Sequence, residues 1–235
     1  MLSDGSRVDT RAVIIATGAR YRSLPLDRWA DFEGSGIYYA ATVLEARACR
    51  SEPVVVVGGA NSAGQAALYL ASLGSPTRLV LRGPELGREM SSYLVERLLS
   101  DPRVTVLTST EVTGLEGDAS LRAVTLTDRR TGESTVQPCR GLFCFIGAEP
   151  ATAWDHGVEL DDHGFVRTDS SLDADARAGG VWAALDRGPL PFETSTPGVF
   201  AVGDVRAGSL KRVTAAVGEG AGAVRSVHTV VGLRT

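Results

Sequence analysis

Apolar residues in this chain fall in short unbroken runs rather than in strict alternation. Ala12–Ala16, Val54–Val57, Arg78–Leu81, Val104–Leu107, Leu142–Ile146 and Val199–Val202 each end in glycine or a polar residue. Runs of this kind read as strands covered on both faces, as in parallel sheets. Between them the period changes to that of a helix. Asn61 to Leu70 forms one such segment, and Met90, Leu94, Val95, Leu98 and Leu99 mark one side of a second, over 90–99. Residues 53–107 therefore read β-α-β-α-β, half of a doubly wound sheet. A meander follows over 110–138, with Val112, Leu115, Leu121, Val124, Leu126 and Val136 as its apolar positions and Thr131-Gly132 as a turn. Thr42 with Glu45 three residues on is a capping-box pattern that starts a short helix.

The flanks are less regular. Asp4-Gly5 signals a hairpin turn, Arg7 to Thr10 would be its returning strand, and only Met1-Leu2-Ser3 precedes it. A compact domain rarely begins with half a hairpin, so the sequence is expected to be truncated or completed from elsewhere. Residues 19–52 read as a connector and 148–197 as loop-rich. A last helix is expected from Arg212 to Val231. Gly218 and Gly220 within it cost roughly 1 kcal/mol each relative to alanine, which implies a close neighbour.

Composition narrows the function. Of 235 residues, 43% are hydrophobic and 22% charged, enough for a sizeable core. A net charge of -4 and the lack of a basic run argue against nucleic acid as a partner. No apolar stretch reaches the roughly 18 residues a membrane span needs, and no signal segment opens the chain. The expected compartment is the cytoplasm. Cys49, Cys139 and Cys144 make no C-x-x-C and are expected to be reduced. Cys144 reads as a core residue, and Cys139 and Cys144, if both lie on one strand, would face its opposite sides. His156, His163 and His228 read as loop and surface residues, so no metal site is expected.

The segment Val-Val-Val-Val-Gly-Gly-Ala-Asn-Ser-Ala-Gly, from Val54 to Gly64, carries the chemistry. It is a strand, a glycine turn and a helix start, the layout that presents backbone N–H groups to a pyrophosphate. The expected binding residues are Gly58, Gly59, Ala60, Asn61, Ser62 and Ala63. Gly58 permits the tight turn, Ala63 or Gly64 lets the helix approach the sheet, and Ala60 stands where a glycine is usual. Arg82 ends the second strand of the unit. An acidic residue there would favour NADH, whereas Arg82, with Arg88 as a second contact, could pair with the 2′-phosphate of NADPH. NADPH is the favoured cofactor and NADH stays open. Arg82 also reads as a solvated surface residue.

Ile15-Ala16-Thr17-Gly18, the Gly58–Gly64 turn and Thr196-Pro197-Gly198-Val199-Phe200-Ala201-Val202-Gly203-Asp204 occur in that order. Phe143-Cys144-Phe145-Ile146-Gly147-Ala148-Glu149-Pro150 adds a fourth stretch. Together they resemble the low-molecular-weight bacterial thioredoxin reductases, flavoproteins of the FAD/NAD(P)-dependent pyridine nucleotide-disulfide oxidoreductase family. The resemblance implies an α/β fold: a three-layer, doubly wound nucleotide-binding domain of parallel sheet plus β-meander, inserted into an incomplete FAD-type domain. It places the NAD(P)H-binding domain at 37–147 and the partial FAD-binding domain at 1–36 with 148–235. It makes Gly203 and Asp204 flavin contacts, with Asp204 on the ribityl chain, and sets Lys211, Arg212 and Val213 against the ring. Gly147 joins the cofactor-binding set. The alternative is that Gly203-Asp204 merely turns the chain and caps a loop.

Two departures shape the expected function. The stretch matching the family's redox C-x-x-C is Gly36-Ile37-Tyr38-Tyr39-Ala40-Ala41-Thr42, without a thiol. The family's first glycine unit, which cradles the FAD pyrophosphate, is not in the sequence, so FAD binding requires that it be supplied. The expected activity is hydride transfer from NADPH to FAD and on to an unknown small-molecule or protein acceptor. No side chain is needed as catalytic acid or base. The alternative is a non-catalytic or truncated NADPH-binding module that no longer holds FAD. The ferredoxin–NADP reductase branch also lacks the dithiol, but its C-terminal aromatic residue has no match in Val231–Thr235. The family resemblance further implies a homodimer through the flavin domain.

Overall fold

The computed structural model describes residues 5–154, 157–178 and 180–232. His156, Gly179, most of the Met1–Gly5 hairpin signal and residues 233–235 lie outside the described residues. In chain order the elements are β1 (Val13–Ile15), β2 (Ala19–Tyr21), α1 (Trp29–Phe32), β3 (Ile37–Tyr38), α2 (Val43–Ala48), β4 (Val54–Val57), α3 (Asn61–Ser72), β5 (Thr77–Val80), α4 (Ser92–Ser100) and β6 (Val104–Leu107). They continue with β7 (Thr110–Gly117), β8 (Leu121–Asp128), β9 (Ser134–Pro138), β10 (Gly141–Cys144), β11 (Ala148–Pro150), α5 (Ala174–Ala178), α6 (Gly180–Ala184), β12 (Val199–Ala201) and α7 (Val213–Val231). The chain divides into two compact units, Tyr21–Gly147 and Met1–Arg20 with Ala148–Thr235.

The larger unit is built on a five-stranded parallel sheet in the order β3-β10-β4-β5-β6. All four valines of β4 are buried because both faces of the sheet are covered. Successive side chains go to opposite faces. Val54, Val56, Leu79 and Phe143 pack with Ala63, Ala67, Leu70, Leu94 and Leu98 in a helical layer. Val55, Val57, Val80, Leu142 and Cys144 pack with Val112, Leu121, Val124 and Leu126 of the antiparallel meander β7-β8-β9. This is the three-layer α/β arrangement expected from the hydrophobic runs. The Thr42–Glu45 capping box is present: Thr42 N–H donates to the Glu45 carboxylate and Leu44 N–H to Thr42 Oγ1.

Several local expectations need correction. The stretch expected as a connector is part of the larger compact unit from Tyr21 onward, because Trp29, Phe32 and Ile37 are buried in the meander-side core. Trp29 Nε1 donates to Glu33 and to the Tyr39 hydroxyl, and Tyr21 stacks on Tyr39 at 5.3 Å, which fastens the connector down. α4 starts at Ser92, after Met90, and Leu99 is exposed while Leu94 and Leu98 are buried. Cys139 precedes β10 rather than lying on it, so Cys139 and Cys144 share one core layer instead of facing apart.

The smaller unit pairs β1 with β12 in parallel and β2 with β11. Residues 5–11 form no strand, so the expected Arg7–Thr10 strand is absent. A single buried carboxylate organises the loop before β12. Glu193 accepts from both terminal nitrogens of Arg187 at 2.7 and 2.9 Å and from the N–H groups of Leu190 and Gly198 at 2.7 Å. Four donors satisfy a charge that would otherwise be costly to bury. In α7 the close approach falls at Gly222, where a Cβ would stand 2.5 Å from the Phe192 ring. Gly218 and Gly220, expected to face a neighbour, have nothing within 4 Å of such a Cβ.

Candidate functional site

β4 runs into Gly58, whose φ of +146° disfavours a side chain and where a Cβ would stand 2.5 Å from the Phe145 carbonyl oxygen. Ala60 caps α3 with extended backbone that any residue adopts, which is why no glycine is needed there. Ala63 is buried at the base of α3, and its Cβ is the side-chain atom nearest a Cβ built on Gly58. Gly64 instead gives way to the segment that leads into α4 and to α4 itself: a Cβ would lie 2.8 Å from Met90 Sδ and 3.3 Å from Leu98 Cδ1. The N–H groups in the first turn of a twelve-residue helix thus open at the carboxyl end of the sheet.

A cavity of about 520 Å³ lies at this mouth, lined by residues 57–60, 80–85, 88–89 and 145–147. It brings together six of the expected residues: Gly58, Gly59, Ala60, Arg82, Arg88 and Gly147. Asn61, Ser62 and Ala63 do not line it. Asn61 Oδ1 accepts from Ser91 N–H at 2.8 Å and Ser91 Oγ at 3.0 Å, Ser62 is exposed, and Ala63 is core. Arg82 and Arg88 are exposed, and neither guanidinium has a carboxylate partner among the described residues. Glu85 and Glu89 also line the cavity and were missed in the sequence. The Gly83-Pro84 breaker and Gly87 marked the strap that carries them.

In the smaller unit, β12 runs into a 3-10 turn, Gly203–Val205, with Gly203 at φ +71°. Asp204 is half-buried there, and its carboxylate has no hydrogen-bond or ion-pair partner among the described residues. Glu219, not singled out in the sequence, fixes this turn. It accepts from Gly203 N–H at 2.7 Å and from Arg206 at 2.6 and 3.1 Å. Burial pushes the Glu219 carboxyl up, but the hydrogen bonds from Arg206 and Gly203 outweigh it and hold the group below its ordinary value. Lys211 sits at φ +49° with its ammonium 4.1 Å from the Phe165 ring centroid, Arg212 caps α7, and Val213 is exposed.

The three cysteines are free and buried. Burial pushes Cys139 and Cys144 up to about 12 and raises Cys49, so none is poised as a thiolate. No helix among the described residues is long and apolar enough to cross a membrane.

The profile of the Pyridine nucleotide-disulphide oxidoreductase family matches residues 2–220. The chain is 30% identical to a thioredoxin reductase of Treponema pallidum over 94% of its own length and 64% of the relative's. It is 30% identical to an NADH dehydrogenase of Bacillus subtilis, over 94% of this chain and 39% of that one. Among solved structures, the thioredoxin reductase of Streptococcus pyogenes superposes with a TM-score of 0.71 at 28% identity, covering 94% of this chain and 65% of the other. The chain thus spans less than two thirds of these relatives.

Proposed function

The chain belongs to the pyridine nucleotide-disulphide oxidoreductase family, and on that premise we propose that its larger unit binds NADPH for flavin-dependent oxidation. The observation that carries this reading is the pairing of a glycine turn with two guanidiniums that have no carboxylate partner among the described residues, all around one cavity. The turn from Gly58 to Ala60 and the first turn of α3 offer N–H groups to the pyrophosphate, with Gly147 across the mouth. Arg82 and Arg88 take the 2′-phosphate, which a planar guanidinium matches with two parallel hydrogen bonds.

The smaller unit fits the ribityl end of a flavin. Asp204, at a strand's carboxyl end, is a carboxylate with no partner among the described residues, suited to accept from hydroxyls. Glu219 holds the Gly203 turn that aims it. Lys211 and Arg212 open the segment proposed to meet the ring. The remainder of the flavin site is assigned to the portion of the relatives that this chain does not span. When bound, the flavin supplies the redox step, accepting hydride and passing electrons onward. The acceptor is a molecule other than a dithiol of this chain, since disulfide exchange needs an accessible thiolate.

NADH is a second reading, favoured by Glu85 and Glu89 in the same cavity, because carboxylates accept from ribose hydroxyls. Calorimetric titration of the purified chain with both coenzymes, together with its visible spectrum, separates the cases. NADPH tighter than NADH is expected. A colourless protein that binds NADPH is the nucleotide-binding module alone. No heat with either coenzyme rejects the reading.

A further inference from the structure

The strap from Gly83 to Ser91 joins β5 to α4 and carries Arg88 along one wall of the cavity. Its two ends are held by different means. At the β5 end, Gly83 O accepts from Ser109 N–H at 2.8 Å and Arg82 O from Arg129 Nη1 at 3.3 Å. At the α4 end, Asn61 Oδ1 accepts from both Ser91 N–H and Ser91 Oγ, Ala60 bridges to Glu89, and Met90 is buried against Gly64.

Ser91 occupies the N-cap position of α4, yet its hydroxyl makes no capping bond and turns to Asn61 instead. A serine there ordinarily satisfies its own helix. The backbone N–H of Ser91 can only donate, which fixes the Asn61 oxygen toward it and the amide nitrogen away. Asn61 stands on the first turn of α3, immediately after Ala60 of the phosphate-facing turn. One amide thus ties the strap to the helix whose N-terminus faces the pyrophosphate. Arg82 is anchored independently of it.

We propose that Asn61 is a specificity-positioning residue: by latching the strap at Ser91 it holds Arg88 at the cavity, and so selects a 2′-phosphorylated nicotinamide dinucleotide. The inference rests on the dinucleotide reading of the cavity.

The test is calorimetric titration of the wild-type chain and its variants with NADPH and with NADH. Asn61→Ala weakens NADPH about three- to tenfold and leaves NADH within about twofold, the scale of one or two lost hydrogen bonds. Arg88→Ala produces a loss of the same selectivity. Adding Asn61→Ala to Arg88→Ala gives no further loss, because the latch acts through that guanidinium. Asn61→Asp keeps an acceptor oxygen for both Ser91 donors, so its NADPH-to-NADH ratio stays nearer the wild type's than that of Asn61→Ala, although its charge weakens both coenzymes. A wild-type ratio in Asn61→Ala, additive losses in the double variant, or a ratio in Asn61→Asp as low as that of Asn61→Ala overturns the inference alone. No heat from the wild type with either coenzyme rejects the dinucleotide reading and the latch with it. If Asn61→Ala does not fold, Ser91→Ala removes one of the two donors, and a selective loss of about twofold is then expected.

Discussion

A Cβ on Gly58 would stand 2.5 Å from the carbonyl oxygen of Phe145, two strands' ends meeting with no room for a methyl group. The obstacle is backbone, so neither side can yield by rotating a side chain. Gly58→Val should therefore destabilise the larger unit by about 3 kcal/mol, combining a disfavoured φ with displacement of β10's exit. Thermal unfolding should show the loss, and titration should show no NADPH binding. Unchanged affinity would mean that the turn is not a phosphate cradle.

Arg82 lies two residues beyond β5, exposed and without an ionic partner among the described residues. Arg82→Glu should weaken NADPH about tenfold or more while affecting NADH less, since a carboxylate repels phosphate but accepts from ribose hydroxyls. Equal losses for the two coenzymes would remove Arg82 as the reason for preferring NADPH.

Acid should loosen the smaller unit through Glu219. Its carboxyl is held below the ordinary 4.5, so its contribution is present above that value and is lost as pH falls through the lower, folded value. Urea unfolding at pH 7 and at progressively lower pH, starting from about 4.5, should show a smaller decline in Glu219→Gln than in the wild type. With side-chain exposures of 11% for Glu219 and 18% for Arg206, the pair is shielded enough for the difference to be visible. Parallel pH profiles would count against it.

The thiols should be silent in the folded protein. Cys49, Cys139 and Cys144 are free and buried, with raised pKa values. An aromatic disulfide reagent at pH 8 should find none before unfolding and all three after it. The chain should not reduce thioredoxin. Rapid reaction of any native thiol would show that a redox cysteine has been misjudged.

The sheet was legible because β4 and β10 lie in consecutive apolar runs and β5 leads into Leu79-Val80-Leu81, and the glycine turn because Gly58 has both a backbone and a packing reason to be glycine. Arg82 could be placed because it directly follows the run Leu79-Val80-Leu81. Glu219 could not, since its partners, Gly203 and Arg206, are remote in sequence and the helical period marks it only as polar. Residues 21–36 read as a connector because Trp29 and Phe32 sit on a single four-residue turn, too short for a periodic signal, and their burial depends on the meander. Asn61 was read as facing the ligand, because no local pattern shows that Ser91 claims its oxygen.

Gly218 and Gly220 stand within one turn of α7 with open space where a side chain would be, while Gly222 is wedged against Phe192. The glycine penalty is thus offset by packing in only one of the three. Amide hydrogens in the first half of α7 should exchange with deuterated water well before those beyond Gly222, as fraying spreads from the Val213 end. This end of the helix carries Val213 and Val217, both exposed, and begins beside Lys211 and Arg212. The stretch assigned to the flavin ring would then be the most readily opened part of α7, and protection there would rise sharply once anything docks against it.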